Sequence, residues 1–447
     1  MNDLLQDADD AVRLVRGMLR RGEEGEAFRE RKRVASWTAN EAGLVSASLT
    51  EESGTAVRLR RGTGHLLVAR AGDSPDALRS AVRDAARRTG TSPFLKSHRA
   101  ERAARADAAL SPDDESFAAL LQAALAKALA DPRGIALSIT VSRIATGRVV
   151  VTPRSAVWCG ALSRLEATGT IRRVEAERSF CFQSTRPTAP ALETFSALLQ
   201  EALRPVPAAP PPGGETDVVL SPAAAVVFWH ETVGHPLEAE AGERLSVLSR
   251  VRSAAVAPPD VDVMDDPLRE DLPGSYLFDD EGTEARRVPL ISSGVVGDLL
   301  SDRRTAGPRS NGHARTPDFR RPPRARMANV VVAPGNRPEE ELVAICGEGL
   351  YVREIAFGSA DPESGRFALF VERADVIRRG RLGGPVGRFV LTGDVIRALS
   401  QIDGSPGDTV TSSAGLSLCV KGGDPLPVGG AAPALLVRSL LARPARR

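Results

Sequence analysis

Several things are scarce in this chain of 447 residues, and each scarcity excludes a class of protein. There are four cysteines, Cys159, Cys181, Cys346 and Cys419, and no CxxC pair among them. That excludes a zinc ribbon and argues against a disulfide framework. Lysine occurs only at Lys32, Lys96, Lys127 and Lys421, so arginine carries nearly all the positive charge. Because 59 basic residues meet 57 acidic ones, the net charge is only +2, which argues against a dedicated nucleic-acid binder. The longest nearly uncharged apolar stretch, Val218 to Trp229, falls short of the roughly 18 to 20 residues that span a bilayer. The first ten residues hold four acids and no basic head before an apolar run, so no secretory signal is expected and a cytoplasmic protein is. GxSxG and P-loop motifs are missing, leaving serine-hydrolase and nucleotide-triphosphatase readings without support.

What is present is ordinary globular material, 42% apolar and 26% charged. Leu4 to Arg20 has apolar residues near a 3.6 period and predicts an amphipathic helix. Short β-branched runs at Gly43 to Leu49, Thr55 to Leu59 and His65 to Ala69 are separated by Glu-Ser-Gly and Arg-Gly-Thr-Gly, which predicts antiparallel hairpins. Helical spacing returns at Pro75 to Arg88 and Ser116 to Ala130, strands at Ile135 to Phe182, and a helix at Leu192 to Leu203. The proline run Arg204 to Gly214 cannot continue a helix and marks a domain junction, giving residues 1–212 and 213–447. The expected class is α+β: an N-terminal α/β domain with an antiparallel sheet, then a mainly β domain carrying a distorted HExxxH helix.

That helix holds the chemistry. Ser221-Pro222 supplies an N-cap and a first-turn proline ahead of Ala223 to Trp229, and the run delivers His230-Glu231-Thr232-Val233-Gly234-His235. Two of the five histidines in the chain flank a glutamate, as in HExxH zinc sites. The spacing differs, however: five steps of about 100° leave the imidazoles roughly 140° apart on a regular helix. Both can face one metal only if a π-bulge intervenes or the helix breaks at Gly234, the residue freest in its dihedrals. A third ligand could come from Glu238, Glu240, His313 or Cys419. Weaker signals stay weak. The acids from Asp260 to Glu281 fail calcium-loop spacing and predict solvated loops or pairing with arginines. Eight arginines between Arg303 and Arg326 predict a solvated loop or subunit contact, or else a carboxylate-clamping rim.

The segment HETVGHPLEAE resembles the HExxxH segment of the TldD/PmbA family of metalloproteases. The likeness continues in order through YLFDDEGTEARR (276–287), Gly294 to Leu300, Arg324 to Gly335, Gly349 to Val352 and CVKGGDPLPVGGAAP (419–433). The resemblance implies a zinc ion held by His230, His235 and Cys419, with Glu231 as the general base activating the zinc-bound water. It implies hydrolysis of unfolded or extended peptides in an enclosed dimer cavity, the partner being an identical chain or a metal-free paralogue. Other members lack the metal motif, so a non-enzymatic regulatory or partner subunit is the alternative. A cysteine peptidase pairing Cys419 with His235 is a third, which leaves His230 and Glu231 without roles. Where the family shows glycine after the cysteine and a glutamine a little later, this chain has Val420 and Asp424.

Overall fold

A computed structural model describes residues 2–5, 7–62, 64–89, 98–99, 104–107, 112–129, 135–173, 176–205, 209, 211, 213–239, 245–412 and 418–444. The N-terminal part is an eight-stranded sheet, antiparallel except for one parallel pair, with helices against one face. Its elements are α1 (Ala8–Met18), β1 (Glu24–Asn40), β2 (Gly43–Arg61), β3 (Gly64–Ala71), α2 (Pro75–Thr89), β4 (His98–Arg99) and β5 (Ala104–Asp107). They continue with α3 (Pro112–Ala128), β6 (Ile135–Val151), β7 (Ala156–Arg173), β8 (Ala176–Ser184) and α4 (Ala189–Ala202). Strand order is β4-β3-β2-β1-β6-β7-β8, with β5 beside β2. Alternate residues of the sheet bury their side chains under the helices. Trp37, Ile139 and Val141 pack with Phe117, Leu121 and Phe195, while Val57, Leu59 and Val149 pack with Val15 and Leu78.

Two sequence expectations fail here. The runs at 43–49 and 55–59 are one strand, β2, because β1 pairs it residue for residue through Arg33↔Glu51, Lys32↔Glu52, Arg31↔Ser53 and Glu30↔Gly54. Gly54 serves close approach rather than a turn: a Cβ there would lie 2.2 Å from the ring of Phe319. By contrast, Arg-Gly-Thr-Gly does reverse the chain, with Gly62 at φ 56° and Arg61 opposite Gly64. Strand β1 itself went unpredicted because charges interrupt its alternation. Glu26, Arg29 and Glu30 are nevertheless buried, Arg29 paired with Asp7 and the two glutamates with arginines farther along the chain.

Arg58 on β2 and Arg148 on β6 tie these glutamates to the acidic and arginine-rich stretches of the second half. Arg148 on β6 reaches Glu30 at 2.8 Å, both carboxylate oxygens of Asp280 at 3.0 Å and the carbonyl of Pro317 at 3.1 Å. Arg58 donates to Glu26 at 3.1 Å and to the carbonyl of Asp280 at 2.6 Å. Arg303 closes on Glu26 at 2.9 Å. Hence Asp279, Asp280 and Glu281 are buried rather than solvated, and Asp280 takes the arginine pairing that the sequence left open.

The second part is β-rich. Strand β9 (Gly214–Leu220) runs antiparallel to Leu435–Pro444 and parallel to Gly349–Asp361. Leu435–Pro444 pairs with Phe389–Asp394, that strand with Arg366–Arg378, and Arg366–Arg378 with Gly349–Asp361, so the pairings close a ring. A six-stranded sheet, including Val263–Asp265, Val288–Ser292 and Asn329–Val332, lies beside it. Between them sits α5 (Pro222–Trp229), buried from Ala224 onward, as a helix apolar on every side must be. Among the described residues no helix is long and apolar enough to cross a membrane.

Candidate metal centre

The centre is built from the end of α5. Ser221 caps the helix, its hydroxyl accepting from the Ala224 N–H at 3.3 Å and donating to the carbonyl of Arg353 at 2.9 Å. From His230 to Gly234 the backbone takes one π turn, in which the His235 N–H bonds the His230 carbonyl. Pro236 then tightens the chain into a 3-10 turn over His235–Leu237. An i→i+5 turn brings residues five apart onto one face, so the angular mismatch of a regular helix disappears. The two imidazole rings stand 4.7 Å apart between centroids, at 81° to each other.

Gly234 plays a different part from the one expected. Its φ and ψ, −60° and −61°, are helical and open to any residue. What requires glycine is space, since a Cβ would lie 1.8 Å from Sδ of the buried Met327. Helix propensity alone favours Gly234→Ala by about 1 kcal/mol. Overpacking reverses the sign, and the variant should lose about 1 to 3 kcal/mol. A lowered melting temperature, partly restored when Met327→Ala is added, is the expected result; a variant more stable than wild type refutes the packing account.

Cys419 arrives from the other end of the chain, on a hairpin of Leu418–Lys421 with Asp424–Pro427. Gly422 and Gly423, at φ 60° and 82°, make the tight turn. Its Sγ lies 3.4 Å from Nε2 of His235. One donor atom from each of His230, His235 and Cys419 fits within a mutual separation of 4.8 Å. The other ligand candidates lie elsewhere. His313 is a core residue held between Asp265, 3.0 Å from its Nε2, and Asn311, 3.1 Å from its Nδ1. Glu238 contacts Nδ1 of His235 from behind, at 3.2 Å, and Glu240 lies outside the described residues. Val420 is 63% exposed and Asp424 sits 3.4 Å from Arg321, so neither departure from the family pattern removes a donor.

Without a metal, electrostatics favour a thiolate paired with a protonated His235. Burial opposes ionisation of the Cys419 thiol, yet His230 and His235 together hold it well below the ordinary thiol range. Burial likewise opposes a charged His235, but Glu238 and Cys419 raise it well above the usual imidazole value. Burial pushes the carboxyl of Glu231 up, against the opposing pull of His230 and His235. Nδ1 of His230 is buried without a hydrogen-bond partner. Two imidazoles and a thiolate with donor atoms within 4.8 Å of one another are a set suited to zinc, which His230, His235 and Cys419 would hold.

Residues that sequence reasoning misplaced surround these donors. The arginine run is neither rim nor loop throughout: Arg315 and Arg326 are buried. Arg315 donates to the carbonyls of Met327 and Pro427, and Arg326 to the carbonyls of Cys419 at 2.9 Å and Asp424 at 3.3 Å. Gly358, on the strand Gly349–Asp361, packs directly on Glu231, a contact that carries no sequence signal.

Residues 213–442 match the family described as PmbA/TldA metallopeptidase C-terminal domain. Family match and donor set thus place the protein in a class of candidate metallopeptidases with a His-His-Cys group. The chain belongs to the TldD/PmbA family. It is 32% identical over 248 residues to a metalloprotease of Methanothermobacter thermautotrophicus, covering 54% of this chain and 53% of that protein. A metalloprotease TldD homolog of Haemophilus influenzae is 29% identical over 243 residues, covering 54% and 50%. The matches therefore span about half the length of these curated relatives. Among solved structures, TldE of Thermococcus kodakarensis superposes with a TM-score of 0.72 at 18% identity, over 97% of this chain and 99% of that one. A putative modulator of a DNA gyrase from Thermotoga maritima gives 0.73 at 18% identity, over 99% and 100%, and both establish the fold alone.

Proposed function

We propose that the chain is a zinc-dependent metallopeptidase acting on unfolded or extended peptides. The observation that carries this reading is the convergence of His230, His235 and Cys419, with the buried carboxylate of Glu231 beside them. Zinc bound by those three side chains would supply a Lewis acid that makes water acidic near neutral pH and polarises the peptide carbonyl. Glu231 takes a proton from the attacking water and hands it to the departing amine. The strand Gly349–Asp361 walls the carboxylate on the side of Gly358 and limits where it can point. Resemblance to the family supports a dimer with an identical chain or a metal-free paralogue, an enclosed cavity around the site and a cytoplasmic setting. The proline run supports a division into residues 1–212 and 213–447.

Elemental analysis of the purified full chain tests the reading. Roughly one zinc per chain is expected, lost in His230→Ala, together with peptide hydrolysis that a chelator abolishes and added zinc restores. A chain that takes up no zinc is instead the non-enzymatic partner subunit. Hydrolysis blocked by thiol alkylation but indifferent to chelators is that of a cysteine peptidase.

A further inference from the structure

Behind the three donors, one carboxylate touches every part that must be held together. Glu238 is buried, its side chain fully so. Its Oε2 lies 3.2 Å from Nδ1 of His235 and 2.7 Å from Nζ of Lys421, two residues past Cys419. Its Oε1 accepts from the Met327 N–H at 3.0 Å and forms an ion pair at 3.6 Å with Nε of Arg326. Arg326 in turn donates to the carbonyls of Cys419 and Asp424, on both strands of the cysteine hairpin. The π turn and the hairpin, 184 residues apart at His235 and Cys419, are thus joined through a single buried anion and two cations.

We propose that Glu238, clasped by Lys421 and Arg326, is the positioning residue that assembles the metal site, fixing the His235 ring and the Cys419 hairpin relative to each other. The inference rests on the metallopeptidase reading and adds to it. With Nδ1 of His235 facing Glu238, Nε2 is the ring nitrogen turned toward Cys419 Sγ, and a bound metal would take the place of its proton. A carboxylate behind a ligating histidine fixes its tautomer and strengthens it as a donor, and loss of such a partner typically costs 10- to 100-fold in metal affinity. The two cations explain how the anion is tolerated here, because an unpaired buried carboxylate would be strongly destabilising. Lys421 is one of only four lysines in the chain.

The test is zinc affinity of the full chain by competition with a chromophoric chelator, alongside the visible spectrum of the cobalt(II)-loaded protein. Glu238→Gln should bind zinc about 10- to 100-fold more weakly and shift the cobalt bands, which report ligand geometry. Lys421→Met leaves Glu238 with Arg326 and Met327, and should weaken zinc by a smaller factor. It decides the matter should the buried substitution fail to fold. Equal affinities and superimposable spectra in wild type and variants overturn the inference. A wild-type chain that takes up neither metal overturns instead the metallopeptidase reading on which it stands.

Discussion

Glu231→Gln should leave zinc on the protein while lowering peptide hydrolysis by roughly 10²- to 10⁴-fold, the range a positioned general base contributes. The amide keeps the size of the side chain but cannot accept a proton from water. Gly358→Ala should reproduce much of this loss from outside the motif. A Cβ at 358 would lie 2.4 Å from Cγ and 2.7 Å from Oε1 of Glu231, so the carboxyl must swing away. Misplacing a reacting group by about 1 Å costs on the order of 10²-fold. Zinc content should be unchanged in both variants, since neither removes a donor. Full hydrolysis by Glu231→Gln would falsify the assigned role of the carboxylate. Full hydrolysis by Gly358→Ala means that its position is not set by that strand.

Arg148→Ala should destabilise the fold by about 3 to 5 kcal/mol, as expected when one member of a buried ion-pair network is deleted. The substitution strands two buried carboxylates, Glu30 and Asp280, and removes the donor to Pro317. It also takes a guanidinium from beside the Phe28 ring. Those contacts join the N-terminal sheet to the segment running from Asp280 to Phe319, whose N–H bonds Glu30 at 3.1 Å. Asp280→Asn added to Arg148→Ala should recover part of the loss by removing one stranded charge. Urea unfolding midpoints measure both effects. A shift worth less than about 1 kcal/mol, typical of an exposed pair, would show that the network does not hold the two parts together.

Legibility followed the range of the interactions. Helix α2 begins at Pro75 as the Ser-Pro signal indicates, and α5 follows Ser221-Pro222 for the same reason, because capping and proline act within a turn. The hairpin at Arg61 to Gly64 is equally local. Strand β1 was invisible because its charges are neutralised by residues distant in sequence, Glu26 by Arg303 and Glu30 by Arg148. Gly54, Gly234 and Gly358 look alike in one dimension. In the fold each marks a place where another side chain, Phe319, Met327 or Glu231, occupies the space of a Cβ.

By itself the sequence determined a helix whose end presents His230, Glu231 and His235, and a chain of mixed helix and sheet. These follow from steric and capping preferences that span a few residues. Only the tertiary structure decided that Cys419, rather than His313, stands against the imidazoles. It also decided that Glu238 grips the site from behind and that Arg315 and Arg326, out of the arginine run, turn inward. Such choices depend on which distant surfaces pack together and on burying every charge beside its counterpart, and no local pattern encodes that geometry.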